Sequence, residues 1–271
     1  MAAPPGPTWF WRLIGVVARV LVRGLLRWRV DVAGLERVPT GSGAVLAFNH
    51  HSYVDVVLVA WAIVLQLHRP VRFLAKREMW ASPLRPIVHL AGAVPVDRTD
   101  ASSRHGAYAA AIAALRRGEL VAVAPEQTIS PSFELLPFRT GAARMAQQAG
   151  VPIVPVVGWG TQRCAPKGRR LRWVTRIPVV VRYLEPVPVP ADADPVAVTR
   201  ELQARMEVAL REVQDAYPDR PRAGEGWWLP ARLGGSAPTH ADVLAEHERR
   251  FQERRRAAAP DPRSEDRPTG T

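Results

Sequence analysis

Three observations in the sequence predict an α/β fold: one domain with a central mixed sheet flanked by helices. Short apolar runs of strand length alternate with helical patterns from residue 30 to residue 216. The 271 residues are 47% hydrophobic and 23% charged, the balance of a globular chain able to bury a large core. The single cysteine, Cys164, excludes an intramolecular disulfide framework and a cysteine-built zinc site.

Taken in order, the chain opens with Trp9-Phe10-Trp11-Arg12 and an aliphatic stretch broken by Arg19, Arg23 and Arg27. At about 100° per residue those four arginines fall within roughly 80° of one another, which predicts an amphipathic helix. No uncharged run there approaches the ~20 residues of a spanning helix. The pattern fits a helix lying in a membrane interface, with arginines reaching lipid phosphates and tryptophans at headgroup depth. A helix packed on its own domain has the same periodicity, whereas arginines within the apolar stretch argue against a secretory signal. Residues 30–38 alternate weakly and end at the turn Pro39-Thr40-Gly41-Ser42-Gly43. Strands are expected at 44–48, 71–75, 93–96, 120–124, 151–157 and 178–184. Helices are expected at 56–67, 82–90, 102–117 and 141–148, the last stopped by Gly150. A long amphipathic helix over 193–217 carries Val196, Leu202, Met206, Leu210 and Val213 at helical spacing.

Beyond Pro218 the composition shifts to Pro, Gly and Arg, and the run at 249–256 reads with His240 and His247 as one solvated helix end. These shifts divide the chain into an N-terminal amphipathic membrane-associating segment (1–29), a central domain (30–216) and a C-terminal extension (217–271). The end of that extension, 257–271, reads as disordered.

The net charge of +12 excludes an acidic solvating protein and points to an anionic partner: nucleic acid, a phosphorylated metabolite or a membrane surface. Of 37 basic residues, only Lys76 and Lys167 are lysine. Five arginines and no acid lie within residues 1–30. A second cluster, Arg163, Lys167, Arg169, Arg170, Arg172 and Arg176, also contains no acid and carries Trp173. It reads as a basic loop between two strands, either a solvated turn or a patch facing a membrane or the phosphates of coenzyme A. No recognisable DNA- or RNA-binding motif accompanies it, which argues against nucleic acid.

The segment Asn49-His50-His51-Ser52-Tyr53-Val54-Asp55 sits where a strand ends and a helix begins, the usual place for reactive groups in an α/β sheet. With His50 in the loop and Asp55 in the first helical turn, the carboxylate can reach one imidazole nitrogen. It then fixes the tautomer and leaves the other nitrogen as a base towards a hydroxyl. The alternative is that His50, His51 and Asp55 only cap the helix. Adjacent histidines rarely converge on one metal ion, and no further ligand cluster is evident.

Three later stretches bear on that choice: Gly92-Ala93-Val94-Pro95-Val96-Asp97-Arg98, Ala124-Pro125-Glu126-Gln127-Thr128 and Val151-Pro152-Ile153-Val154-Pro155-Val156. With the first, they resemble in order the four blocks of the glycerolipid acyltransferase family, specifically the bacterial 1-acylglycerol-3-phosphate acyltransferases. Those blocks read N-H-x-S-x-x-D, G-x-x-x-x-D-R, F-P-E-G-T-R-S and V-P-I-x-P-V. The resemblance implies acyl transfer from acyl-CoA, or acyl carrier protein, to the free hydroxyl of 1-acylglycerol-3-phosphate, giving phosphatidic acid. His50 would be the base and Asp55 its orienter, with no cofactor, no metal and no covalent acyl-enzyme.

The resemblance further implies that Arg98, Glu126 and Thr128 hold the glycerol phosphate. Asp97 and Arg98 could instead form an internal ion pair, and Glu126 a buried carboxylate that stabilises the loop. Lys76, in Lys76-Arg77-Glu78, matches a K-x-E-L-like element. Arg139, in Phe138-Arg139-Thr140-Gly141, matches the family's F-K-x-G and keeps a cation near the third block. The implied partners are an anionic membrane surface, the acyl donor and a lysophospholipid, with peripheral attachment at the cytoplasmic face of the cell membrane. One block departs: the family's E-G-T-R is Glu126-Gln127-Thr128-Ile129 here, without the glycine and without the arginine. That departure leaves open another lysophospholipid, a glycolipid or another alcohol as acceptor, and also a non-catalytic lipid-binding homologue.

Overall fold

The computed structural model describes residues 8–81, 85–97 and 101–257. Arg98, part of the helix expected over 82–90 and all but the first residue of the tail expected to be disordered at 257–271 lie outside them. Seven strands form one sheet: β1 (Arg29–Ala33), β2 (Ala44–Phe48), β3 (Val71–Lys76), β4 (Val94–Val96), β5 (Leu120–Val123), β6 (Ile153–Trp159) and β7 (Pro178–Tyr183). Their spatial order is β1-β7-β6-β2-β5-β3-β4, with every neighbouring pair parallel except β6 and β7. The sheet is therefore mixed, and helices flank it: α1 (Thr8–Arg19), α2 (Asp55–Ala62), α3 (Arg85–Leu90), α4 (Ala101–Arg116), α5 (Gly141–Ala149), α6 (Pro195–Asp215) and α7 (His240–Ala257).

β2 lies at the centre, fully buried along its length, and reads as the continuous apolar run Ala-Val-Leu-Ala-Phe. Side chains on a strand alternate between faces. Ala44, Leu46 and Phe48 accordingly join the core shared with α1 and α2, while Val45 and Ala47 join the core shared with α4, α5 and α6. A buried ion pair between Arg72 and Glu119, with Arg72 also donating to Gly92 O at 3.0 Å, ties β3 to the chain entering β5 and β4. Asp194 caps α6 through the N–H groups of Val196 and Ala197, and Pro195 follows at the first helical position.

α1 continues from Val20 to Leu25 as a wider π-helical stretch, where the sequence pattern predicts a uniform helix. One face packs inward through Phe10, Trp11, Ala18, Val22 and Leu26, and Gly15 lies against Leu65. The opposite face leaves Trp9, Leu13, Val16, Val17, Val20, Leu21 and Leu25 exposed, and Arg12, Arg19, Arg23 and Arg27 are exposed as well. The helix thus packs on its own domain and also presents an apolar strip. Among the described residues, no helix is long and apolar enough to cross a membrane.

Past α6 the chain folds back onto the domain. Trp228, Leu229, Ala237 and Val243 are buried, the first three in the core beneath α5 and α6. A chain of edge-to-face rings runs from His51 through Trp159 and Tyr217 to Trp228, with centroids 5.8, 6.2 and 5.9 Å apart.

Candidate active site

Because β6, β2 and β5 are adjacent and parallel, their carboxyl ends reach the same edge of the sheet. The segments that follow them, 49–55, 124–130 and 160–165, meet there. β3 and β4 end at that edge too, closing on Lys76 and Val96, which are paired in register. Asp97 comes next, its N–H donating to Ser103 Oγ at 3.0 Å.

Asn49 fixes the first segment. Its amide donates to Gly158 O at 2.9 Å and accepts from Gly158 N–H at 2.7 Å, clamping the end of β2 to β6. Asp55 then opens α2 and gathers four donors. Its Oδ2 accepts from His51 N–H and Ser52 N–H, both at 2.7 Å, and meets His50 Nδ1 at 3.2 Å. Its Oδ1 accepts from the Thr161 hydroxyl. Gly160 makes that last contact possible: at φ +109°, a Cβ there would lie 2.4 Å from Pro178 O, so only glycine fits the turn that delivers Thr161. Asp55 is 4% exposed and the His50 side chain 18% exposed. With Nδ1–H turned to Asp55, the neutral His50 ring carries its lone pair on Nε2.

His51 behaves differently from its neighbour. It is buried against Phe133 and Trp159, and its Nδ1 contacts the Asn49 amide at 3.1 Å. Burial lowers its pKa to about 4, an effect that the Asp55 charge opposes. A histidine so disposed is a packed structural ring.

The third-block turn grips His50 from the other side. Glu126 Oε1 accepts from His50 N–H at 2.8 Å and Oε2 from Leu136 N–H at 2.9 Å, while Ser130 N–H donates to His50 O at 2.9 Å. Glu126 is 1% exposed, and burial raises its carboxyl to about 8, against the lowering pull of the two N–H donors. Gln127 occupies the left-handed region at φ +59°, the conformation that favours glycine at the position where the acyltransferase block has it. Thr128 lies between these contacts, and Lys167 Nζ donates to its hydroxyl at 2.9 Å. Ile129 is 4% exposed. Arg139 donates its backbone N–H to Pro125 O at 3.0 Å, beside the same turn.

The basic loop wraps the first segment. Ala165 O accepts from Tyr53 N–H at 3.0 Å and from Ser52 Oγ at 3.1 Å. Trp28 Nε1 donates to Val174 O at 2.7 Å, and Arg176 N–H to Leu26 O at 2.8 Å, joining the loop to the end of the N-terminal helix. Arg163 pairs with Asp219 and lies over Trp228, while Arg169 and Arg172 lie over Trp227. The loop is thus tied down at both ends.

A family model described as Acyltransferase matches residues 29–159, from β1 to the end of β6, the stretch that holds all four blocks. That match takes in just under half of the chain. Its fold is similar to the crystal structure of the 1-acyl-sn-glycerophosphate (LPA) acyltransferase PlsC from Thermotoga maritima, with a TM-score of 0.64 and 25% identity over 77% of this chain and 81% of that one. The 1-acyl-sn-glycerol-3-phosphate acyltransferase of Bacillus subtilis is 31% identical over 50% of this chain and 65% of its own length. A chloroplastic protein of the same description from Brassica napus is 29% identical over 52% of this chain, which spans only 40% of the relative's length.

Of the residues expected from the motifs, His50, Asp55, Glu126 and Thr128 lie on two segments, 49–55 and 124–130, that the fold brings to one edge. Lys76 ends a strand at that edge, and Arg98 lies outside the described residues. Motif reading missed Thr161, the clamp between Asn49 and Gly158, and Lys167. Thr161 and Gly158 lie just beyond the fourth block, where nothing but a strand end marks them. Lys167 was visible only as one cation in a basic cluster. Among the described residues, no group of three or more His, Cys, Asp or Glu could hold a metal ion.

Proposed function

We propose that the chain is a membrane-surface O-acyltransferase that moves a fatty acyl group from acyl-CoA, or acyl carrier protein, to the hydroxyl of 1-acylglycerol-3-phosphate, forming phosphatidic acid. The single observation that carries this reading is the contact between His50 Nδ1 and Asp55 Oδ2, 3.2 Å, at the meeting point of three parallel strand ends. Asp55 orients the ring. His50 Nε2 takes the hydroxyl proton as the acceptor oxygen bonds to the thioester carbonyl carbon, and the C–S bond then breaks as the thiol leaves with that proton. No cofactor is needed, and the acyl donor is itself a substrate. Cys164 is a poor candidate for an acyl-enzyme nucleophile, because it is buried and burial pushes its thiol up.

In this reading Glu126 is a positioning residue that holds the His50 backbone. Thr128, Arg139, Lys76 and Arg98 serve the acceptor's phosphate. The exposed strip of α1, with Trp173 and Leu171 exposed on the basic loop, supports peripheral attachment to a membrane, and this reading assigns it to the cytoplasmic face. Ile129, buried where the family block has arginine, favours one variant of the reading: the same transfer to a lysophospholipid with another headgroup, a glycolipid or another alcohol. The purified protein, given acyl-CoA and 1-acylglycerol-3-phosphate, is expected to release free thiol and form phosphatidic acid only when the acceptor is present. Faster release with a different acceptor would favour the variant, and no acceptor-dependent release with any lipid alcohol would overturn both.

A further inference from the structure

Building on that acceptor site, we infer that Lys167 contacts the phosphate of the acceptor and sets the chain's preference for a phosphomonoester. The turn 126–130 brackets His50, holding its N–H through Glu126 and its carbonyl through Ser130. Thr128 sits at the middle of that turn, and Lys167 Nζ reaches its hydroxyl at 2.9 Å from a different part of the chain. The loop carrying Lys167 is fastened to the His50 segment through Ala165 O, which accepts from Tyr53 N–H and Ser52 Oγ. An ammonium is therefore hydrogen-bonded to the turn that holds the His50 peptide, on a loop itself fastened to the His50 segment. Ile129, the next residue along the turn, is buried and uncharged.

Composition adds a second observation. Only two of the 37 basic residues are lysine, and both belong to this edge: Lys76 ends β3 there, and Lys167 meets the third-block turn. An exposed ammonium is a compact donor that follows a phosphate without the planar constraint of a guanidinium. The phosphates of coenzyme A offer the same chemistry, so the test separates acceptor from donor.

Lys167→Met is compared with wild type for KM and kcat on 1-acylglycerol-3-phosphate, on monoacylglycerol, which lacks the phosphate, and on acyl-CoA against an acyl-pantetheine donor. The expected result is a KM for the phosphate acceptor raised about tenfold, with kcat within about twofold. The monoacylglycerol and donor KM values stay unchanged, and Lys167→Arg recovers most of the loss. Equal KM values in variant and wild type would overturn the inference, as would an equal rise for both acceptors or a change confined to acyl-CoA. Equilibrium binding of 1-acylglycerol-3-phosphate, measured in the His50→Ala background with and without Lys167→Met, does not depend on turnover. Binding weakened by Lys167→Met in a protein whose wild type does not acylate this lipid would refute the proposed reaction and uphold Lys167. Turnover of this lipid with binding unaffected by Lys167→Met would do the reverse.

Discussion

The two sides of the site are built differently. On the His50 side, backbone contacts bury almost everything: Asn49 is clamped to Gly158, Asp55 is filled by four donors, and Glu126 and Ser130 hold the His50 peptide. On the side of Thr128 and Lys167, the groups are exposed or half-buried, and a side-chain hydrogen bond joins two distant loops. The first side keeps the family block intact and the second departs from it. Backbone-locked geometry resists substitution because each change unseats several partners, whereas a cation on a loop can be moved without disturbing the sheet. The contrast separates the two roles assigned in the proposed reaction, a base held rigidly and an acceptor grip that can drift.

The largest expected effect is on the rigid side. Asp55→Asn removes the carboxylate charge beside His50 and turns an NH2 either to the Thr161 hydroxyl or to the groups that Oδ2 accepts from. kcat is expected to fall about 100-fold or more, with KM little changed. A fall of less than about threefold in steady-state kinetics would break the assignment of Asp55 as orienter.

Glu126→Gln has an intermediate effect and a distinctive pH signature. Burial raises the Glu126 carboxyl to about 8, so the folded chain keeps a proton that the unfolded chain releases above its ordinary value of 4.5. The stability from this group is complete below 4.5 and declines as the pH climbs towards 8. Urea midpoints at about pH 6.5 and pH 8, above the window of His51, should fall between the two for wild type and flatten in Glu126→Gln, with kcat about tenfold lower because one N–H donor loses its acceptor. His51 acts in the opposite direction. Its pKa, lowered from 6.5 to about 4, means that stability is lost as the pH drops through that window, so His51→Phe should flatten the acid limb alone.

The smallest effect belongs to the drifting side. Gln127→Gly relieves a left-handed backbone at an exposed position and is expected to change stability by about +0.5 kcal/mol, leaving kcat unchanged. A loss above about 1 kcal/mol in thermal unfolding would mean that the Gln127 side chain does more than tolerate the turn.

Much of this was legible in the sequence. β2 falls at residues 44–48 as expected, because a strand buried on both faces is a continuous apolar run between turn signals. The pair His50 and Asp55 was legible from the resemblance of residues 49–55 to the N-H-x-S-x-x-D block, and α2 opens at Asp55, which puts the carboxylate in the first helical turn as that reading requires. What was not legible depends on which strands become neighbours. The clamp between Asn49 and Gly158 spans 109 residues and the Thr161 bond to Asp55 spans 106, and both exist only because β6 lies beside β2. Lys167 was one cation among six until the loop closed onto Thr128. The helical period of the N-terminal segment showed where its arginines gather, but not that one apolar face meets the core while another stays exposed.

The most direct test of the separation is to measure kcat and KM for 1-acylglycerol-3-phosphate in His50→Ala and Lys167→Met side by side. The account predicts that His50→Ala loses about 100-fold or more in kcat with KM held, and that Lys167→Met loses about tenfold in KM with kcat held. Near wild-type turnover in His50→Ala, or a collapse of kcat in Lys167→Met, would contradict it.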